Sequence, residues 1–183
     1  MIEKAFPQNT PKVVTNQRLL GGHLGDTLSK RRFVNDKVTK WVDLINSLTK
    51  IALQQPQAAY TALTRSVQCE WQYLQRTIEG CGVWFEPIEK VLNDRFLPAL
   101  FKTPTICHNM RRLIALPVKL GGLGIPNPTT TANDAFKTSQ NATSHLCEAI
   151  IGKIKLHLKD HMKAMQDARQ DYKKEKIKQY DRS

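Results

Sequence analysis

Apolar residues return every three or four positions along most of this chain, the spacing that gathers them on one side of an α-helix. Val34, Val38, Trp41, Ile45, Leu48 and Ala52 form a first stripe, and Asp26 stands where an N-cap belongs. A long helix is therefore expected from Thr27. On its opposite side Arg32, Asp36, Lys40 and Asp43 alternate in sign at helical spacing. That pattern predicts ion pairs contributing about 0.2–0.5 kcal/mol each on a solvated face. Pro56 closes this helix or opens the next, since proline is tolerated in a first turn. Tyr60, Leu63, Val67, Trp71, Leu74 and Ile78 make a second stripe, and Ala58, Ala59 and Ala62 allow close approach of a neighbour. Gly80-Cys81-Gly82 interrupts it. Phe85, Ile88, Leu92 and Phe96 make a third, with Pro98 near its end. Short connections between such helices predict an antiparallel bundle.

The interruptions are as informative as the stripes. Residues 1–18 are mixed, contain Pro7 and Pro11, and offer one short strand candidate, Lys12 to Thr15. Gly21-Gly22 between apolar residues signals a hairpin. A phosphate-binding G-x-G-x-x-G would need glycine at 20, where leucine stands, and no Gly-Lys-Ser/Thr follows. Lys102 to Asn109 reads as a loop, and Met110 to Ala115 as a short basic helix. From Leu116 to Pro128 the chain runs L-P-V-K-L-G-G-L-G-I-P-N-P, whose glycines and prolines exclude a long helix or a central strand. Its apolar residues predict a strap lying on the body of the protein, a clasp between two helical halves. Thr129 or Thr130 is expected to cap a fourth helix with a small-residue seam of Ala132, Ala135, Ser139 and Ala142, continued by Leu146 and Ile150 and ended at Gly152. A last helix carries Ile154, Leu158, Met162, Met165, Ala168 and Tyr172 on a heavily charged rod. The expected fold is mainly α: an antiparallel helical bundle with a short N-terminal β-hairpin and a Gly/Pro-rich strap. Its parts are residues 1–26, residues 27–128 with the clasp at 116–128, and residues 129–183 with a basic tail.

Charge narrows the function. The 183 residues carry 28 Lys and Arg against 16 Asp and Glu, a net +12. The excess is concentrated in 27–55, 102–128 and 153–183, which carry +4, +4 and +5. Focused basic charge favours a polyanion, nucleic acid ahead of an anionic membrane. Lys30, Arg31 and Arg32 form an unpaired cluster at a helix start, and Arg111-Arg112 have no acid near them in sequence, so both are candidate phosphate contacts. No apolar run is long enough to span a membrane and no apolar region follows Met1, so an intracellular protein is expected, with nucleus and cytoplasm not distinguished.

Reactive chemistry is thin. Two-metal phosphoryl transfer needs clustered carboxylates, and the chain has no Asp-Asp, Asp-Glu or Asp-x-Asp. His157 and His161 share a helix face but lack the glutamate of H-E-x-x-H, which favours a surface pair over a metal site. Cys69, Cys81, Cys107 and Cys147 form no C-x-x-C, and Cys107-His108 are sequence neighbours, a poor geometry for an activated thiol. Trp41 and Trp71 fall on apolar stripes and are expected in the core; Trp84 is the freer candidate for stacking a base.

Five segments, in order, resemble the open reading frames of invertebrate non-LTR-type retroelement reverse transcriptases. Val14 to Asp26, V-T-N-Q-R-L-L-G-G-H-L-G-D, is similar to their [YF]-L-G-x-x-[IL]-G step, with Leu19 in place of the aromatic. K-V-T-K-W-V-D-L-I-N-S-L-T-K-I-A-L-Q-Q-P-Q-A-A-Y at 37–60, W-Q-Y-L-Q-R-T-I at 71–78, F-E-P-I-E-K-V-L at 85–92 and the clasp follow. The resemblance implies a region downstream of the catalytic palm: primer-grip hairpin, helical thumb and C-terminal extension. The family's aromatic-x-Asp-Asp loop, and the magnesium it holds, belong to the palm. The chain is accordingly expected to be non-catalytic, without a metal or cofactor of its own, and to contact template-primer duplex and the remainder of the polymerase. Expected phosphate contacts are Arg18, Lys30, Arg31, Arg32, Arg111, Arg112 and Lys119, with Gly21, Gly22, Gly121, Gly122 and Gly124 permitting close backbone approach. The alternatives are a helical protein-interaction module without a nucleic-acid role and a recombinase-like DNA-binding helical domain.

Overall fold

A computed structural model of the protein describes residues 14–181, with side chains through residue 174. The chain is a mainly helical antiparallel bundle with one two-stranded hairpin at its N-terminal end. Strands β1 (Gln17–Leu19) and β2 (Gly22–Leu24) pair antiparallel, with Arg18 opposite His23. The turn is Leu20-Gly21, one residue earlier than the Gly-Gly pair, with φ of 48° and 85°. Positive φ at both central residues matches the twist of the flanking strands. Leucine is a poor occupant, because a left-handed backbone costs an L-residue about 1–2 kcal/mol, and Leu20 is 87% exposed, so burial offsets none of it. Leu20→Asn is therefore expected to raise the thermal midpoint by about 2–4 °C; an unchanged or lower midpoint would contradict this. Of the strand candidate at 12–15, Lys12 and Val13 lie outside the described residues, and Val14 and Thr15 are not in a strand.

Helix α1 (Thr27–Ala52) begins as its sequence predicts, with the Asp26 carboxylate accepting from the Ser29 N–H at 2.7 Å. That bond holds the Asp26 carboxyl below the ordinary carboxylate range. Among the described residues, however, Arg32, Asp36, Lys40 and Asp43 form no ion pair with one another. Exposed pairs gain too little in water to fix long side chains, so the expected ladder does not close.

Helices α2 (Pro56–Ala62) and α3 (Gln68–Thr77) are joined by a π turn, Leu63–Val67. The cause lies in the spacing of the core. Ala59, Leu63, Val67 and Trp71 are all buried, in three successive four-residue steps. Each step overshoots an α-helical turn by about 0.4 residue, and the wider π turn takes up the surplus, so the stripe stays on one side. A 3₁₀ turn (Gly82–Phe85) leads to α4 (Glu86–Val91), a second π turn (Leu92–Phe96) and α5 (Leu97–Phe101). There the Leu97 N–H reaches back to the Leu92 carbonyl, and Pro98, which has no N–H to give, follows in the first turn of α5.

α1 packs on α2, α4 and α5, and Trp41 meets Trp71 edge to face at 6.3 Å. Both tryptophans are core residues. After α6 (His108–Ala115) and the clasp, α7 (Pro128–Ile150) lies along α3 and the 3₁₀ turn, and α8 (Leu158–Asp181) packs on α7. The cap of α7 is Asn127, whose side chain accepts from the Thr129 N–H at 2.8 Å, rather than Thr129 or Thr130. Proline at the first helical position puts the cap on the residue before it, two positions before Thr129, and Asn127-Pro128 is the signature of that arrangement. Gly152, at φ 77°, follows the end of α7 as expected.

Candidate nucleic-acid interface

Three contacts seat the hairpin on the bundle. The Tyr73 hydroxyl of α3 donates to the Leu20 carbonyl. The His23 ring stacks on Phe33 of α1 at 5.2 Å and 20°. The Asn16 side-chain oxygen accepts from the Asp26 N–H at 3.0 Å and the Ser29 hydroxyl at 2.8 Å. The seating creates a groove of about 310 Å³ lined by both Arg18 of β1 and Lys37 of α1, together with Gly21 and Tyr73. Lys30 lies seven residues before Lys37 on the same side of α1 but about 10 Å along the helix, and it is not on the groove's lining. Glu70 also lines the groove, where its carboxylate accepts from the Trp41 indole N–H at 2.9 Å. The groove thus presents two cations from separate elements against one carboxylate that is tied to the protein's own core.

The remaining expected contacts do not gather here. Arg31 opens onto a different groove, with Trp84, Asn35 and Thr39. Trp84 is half-buried there, the one tryptophan with a partly open face. Arg32 is exposed on α1, and Lys119 is exposed on a 3₁₀ turn (Val118–Leu120) in the clasp. Arg112 is half-buried on α6.

Arg111 leaves the set of phosphate contacts altogether. Its Nε and Nη2 donate to the two carboxylate oxygens of Glu89 at 2.7 and 2.6 Å, and its Nη1 donates to the Ile125 carbonyl at 2.8 Å. The side chain is 10% exposed. Three of the five N–H donors are committed inside the protein and the side chain is nearly covered, which makes it a poor phosphate contact. Its partner lies 22 positions earlier, so an acid-free neighbourhood in sequence said nothing about the fold.

Arg111 is one of four side chains that fasten the clasp by its carbonyls. The Tyr60 hydroxyl donates to Leu123 O at 2.8 Å, Gln68 Nε2 to Gly124 O at 2.9 Å, and Gln75 Nε2 to Pro128 O at 2.7 Å. The strap lies on the body, as its apolar residues predict, and Ile125 is fully buried. Its glycines serve the strap itself. A Cβ on Gly122 would meet the Leu116 carbonyl at 2.1 Å and that of Leu113 at 2.6 Å, so the close approach is within the protein rather than to a duplex. Gly121 and Gly124 take positive φ of 84° and 66°. In the hairpin, Gly22 is buried against Thr77, whereas Gly21 borders the groove.

Among the described residues, no group of three or more His, Cys, Asp or Glu is placed to share a metal ion. Burial pushes the Cys81 thiol up to about 11, making it an inert packing residue, while Cys69, Cys107 and Cys147 are exposed and unpaired with one another. No described helix is long and apolar enough to cross a membrane. No protein-family model matches this chain, nor does any curated protein or solved structure.

Lys37 lies outside the expected contacts, and the one signal for it in the sequence is its seven-residue spacing from Lys30. The tethers from Tyr60, Gln68 and Gln75 to the clasp have none, because their acceptors are backbone carbonyls more than fifty positions away.

Proposed function

We propose that the chain is a non-catalytic portion of a retroelement reverse transcriptase that holds template-primer duplex by its backbone phosphates. The observation that supports this most is that Arg18 and Lys37, from separate elements, line one groove beside the glycine turn of the hairpin. Two cations spaced across a shallow groove suit successive phosphates, and a glycine at the rim lets a sugar-phosphate backbone come close. The net +12 supplies the long-range attraction. Magnesium and the catalytic carboxylates would come from a palm outside this chain, and the exposed Leu19, Leu20 and Leu24 of the hairpin offer that palm an apolar edge.

The purified protein is expected to bind a short duplex at about 50 mM salt, with affinity falling at a log–log slope of roughly −0.9 per phosphate contacted. The double variant Arg18→Ala/Lys37→Ala is expected to reduce that slope by about two and the affinity at least tenfold. Absence of duplex binding at that salt, or a double variant that binds as the parent does, would remove the proposal.

A second reading is a helical protein-interaction module. It is favoured by the exposed Ile150, Ile151, Leu158 and Met162 around the α7–α8 connection, an apolar patch that duplex binding does not use. It predicts association with a protein partner that the Arg18 and Lys37 changes leave intact.

A further inference from the structure

A cleft away from the hairpin, between α3, the clasp, α7 and α8, has a volume of about 570 Å³. That is within the range of about 300–1,000 Å³ typical of small-ligand sites. The small-residue seam of α7 lies on its lining, where Ala135, Ser139 and Ala142 keep side chains short. Met165 and Tyr172 of α8 form one wall, and Arg76 of α3 and Arg169 of α8 stand on the lining. No carboxylate lines the cleft among the described residues, and neither arginine forms an ion pair. Beyond the cleft, Asp134 of α7 faces Tyr172. Burial and that charge together push the tyrosine hydroxyl up to about 12, so it stays a neutral donor.

Apolar walls, short polar groups and two arginines suit a ligand that is flat, hydrogen-bonding and anionic. We infer that this cleft receives one unstacked nucleotide of a single strand, its base against Tyr172 and Met165 and its phosphate on Arg76 and Arg169. Every base offers a π-face for such a wall, and a guanidinium pair matches a phosphate. Gln72 and Ser139 supply amide and hydroxyl groups for the base edges. A duplex has no free base to insert, so the cleft and the hairpin groove would serve different parts of one substrate. The inference rests on the nucleic-acid reading above and adds a single-stranded segment to it.

The test is fluorescence anisotropy with labelled single strands of about 12 nucleotides, one DNA and one RNA, beside a duplex of equal length. Two changes address the cleft independently: Arg76→Glu/Arg169→Glu reverses its charge at exposed positions, and Ala142→Trp fills it from the seam. Each is expected to weaken single-strand binding at least tenfold, and Ala142→Trp, which keeps the net charge, to change duplex affinity less than about twofold. Arg18→Ala/Lys37→Ala is expected to show the reverse. Single-strand affinity unmoved by both cleft variants, or no single-strand binding by the parent protein, overturns the inference even if duplex binding is found. Loss of single-strand binding in both, in a protein that never binds duplex, sustains the cleft and removes the duplex groove instead.

Discussion

Arg111→Ala is expected to cost about 3–5 kcal/mol of folding stability, the range for removing one member of a buried ion pair. The loss is large because the alanine strands three groups at once: both carboxylate oxygens of Glu89 and the Ile125 carbonyl. Against a typical total of about 5–15 kcal/mol, such a change leaves a marginal protein. Arg111→Lys should recover little, since one ammonium cannot fork to the carboxylate and reach Ile125 together. The pair Arg111→Met/Glu89→Leu should be far milder than Arg111→Ala, because no charge is then left buried without a partner. Urea denaturation measures all three. A loss below about 1 kcal/mol for the alanine would show that the clasp is held by other means.

Gly122→Ala is the second large effect, expected at the upper end of the roughly 1–3 kcal/mol seen when a close-packed site is overfilled. The added Cβ meets backbone on two sides, the Leu116 and Leu113 carbonyls, and the Leu116 Cβ at 2.5 Å. Backbone cannot swing aside as a lysine tip can. The strap must lift, which stretches the bonds from the Gly124 N–H to Leu116 O at 2.8 Å and from Leu123 and Ile125 to Ile114 O at 3.2 and 3.3 Å. Hydrogen exchange at those three amides should quicken more than at α1, far from the strap. Uniform exchange across the chain would mean that the clasp opens only with the whole bundle. Ala substitution at Gly121, with nothing within 4 Å, should cost only its left-handed backbone, about 1 kcal/mol.

Both predictions turn on the clasp, whose existence was legible in its glycines and prolines while its fastening was not. The same division runs through the molecule. The apolar stripe of α1, its Asp26 cap, the hairpin and the Gly152 stop are local signals, set by residues within a turn or two of one another, and they appear where the spacing places them, the hairpin turn shifted by one residue. The π turns escaped because a run of four-residue steps looks like ordinary helical spacing until it is summed. The Asn127 cap is a local signal too, an asparagine directly before Pro128 that competes with the two threonines after it.

The candidate interface was less legible than the fold. Seven basic residues look alike in a sequence, but burial and partners separate them sharply. Arg111 is consumed by Glu89, Arg31 faces another groove, and Arg18 gains a neighbour, Lys37, only because Tyr73 and Phe33 seat the hairpin.

What the order of residues settled was periodic and short-range: helix, hairpin, strap, and an excess of positive charge, because backbone preference and side-chain spacing act between near neighbours. Which charges remain available to a ligand was settled by packing, since an ion pair or a shared groove depends on distance in space between residues that the chain holds far apart.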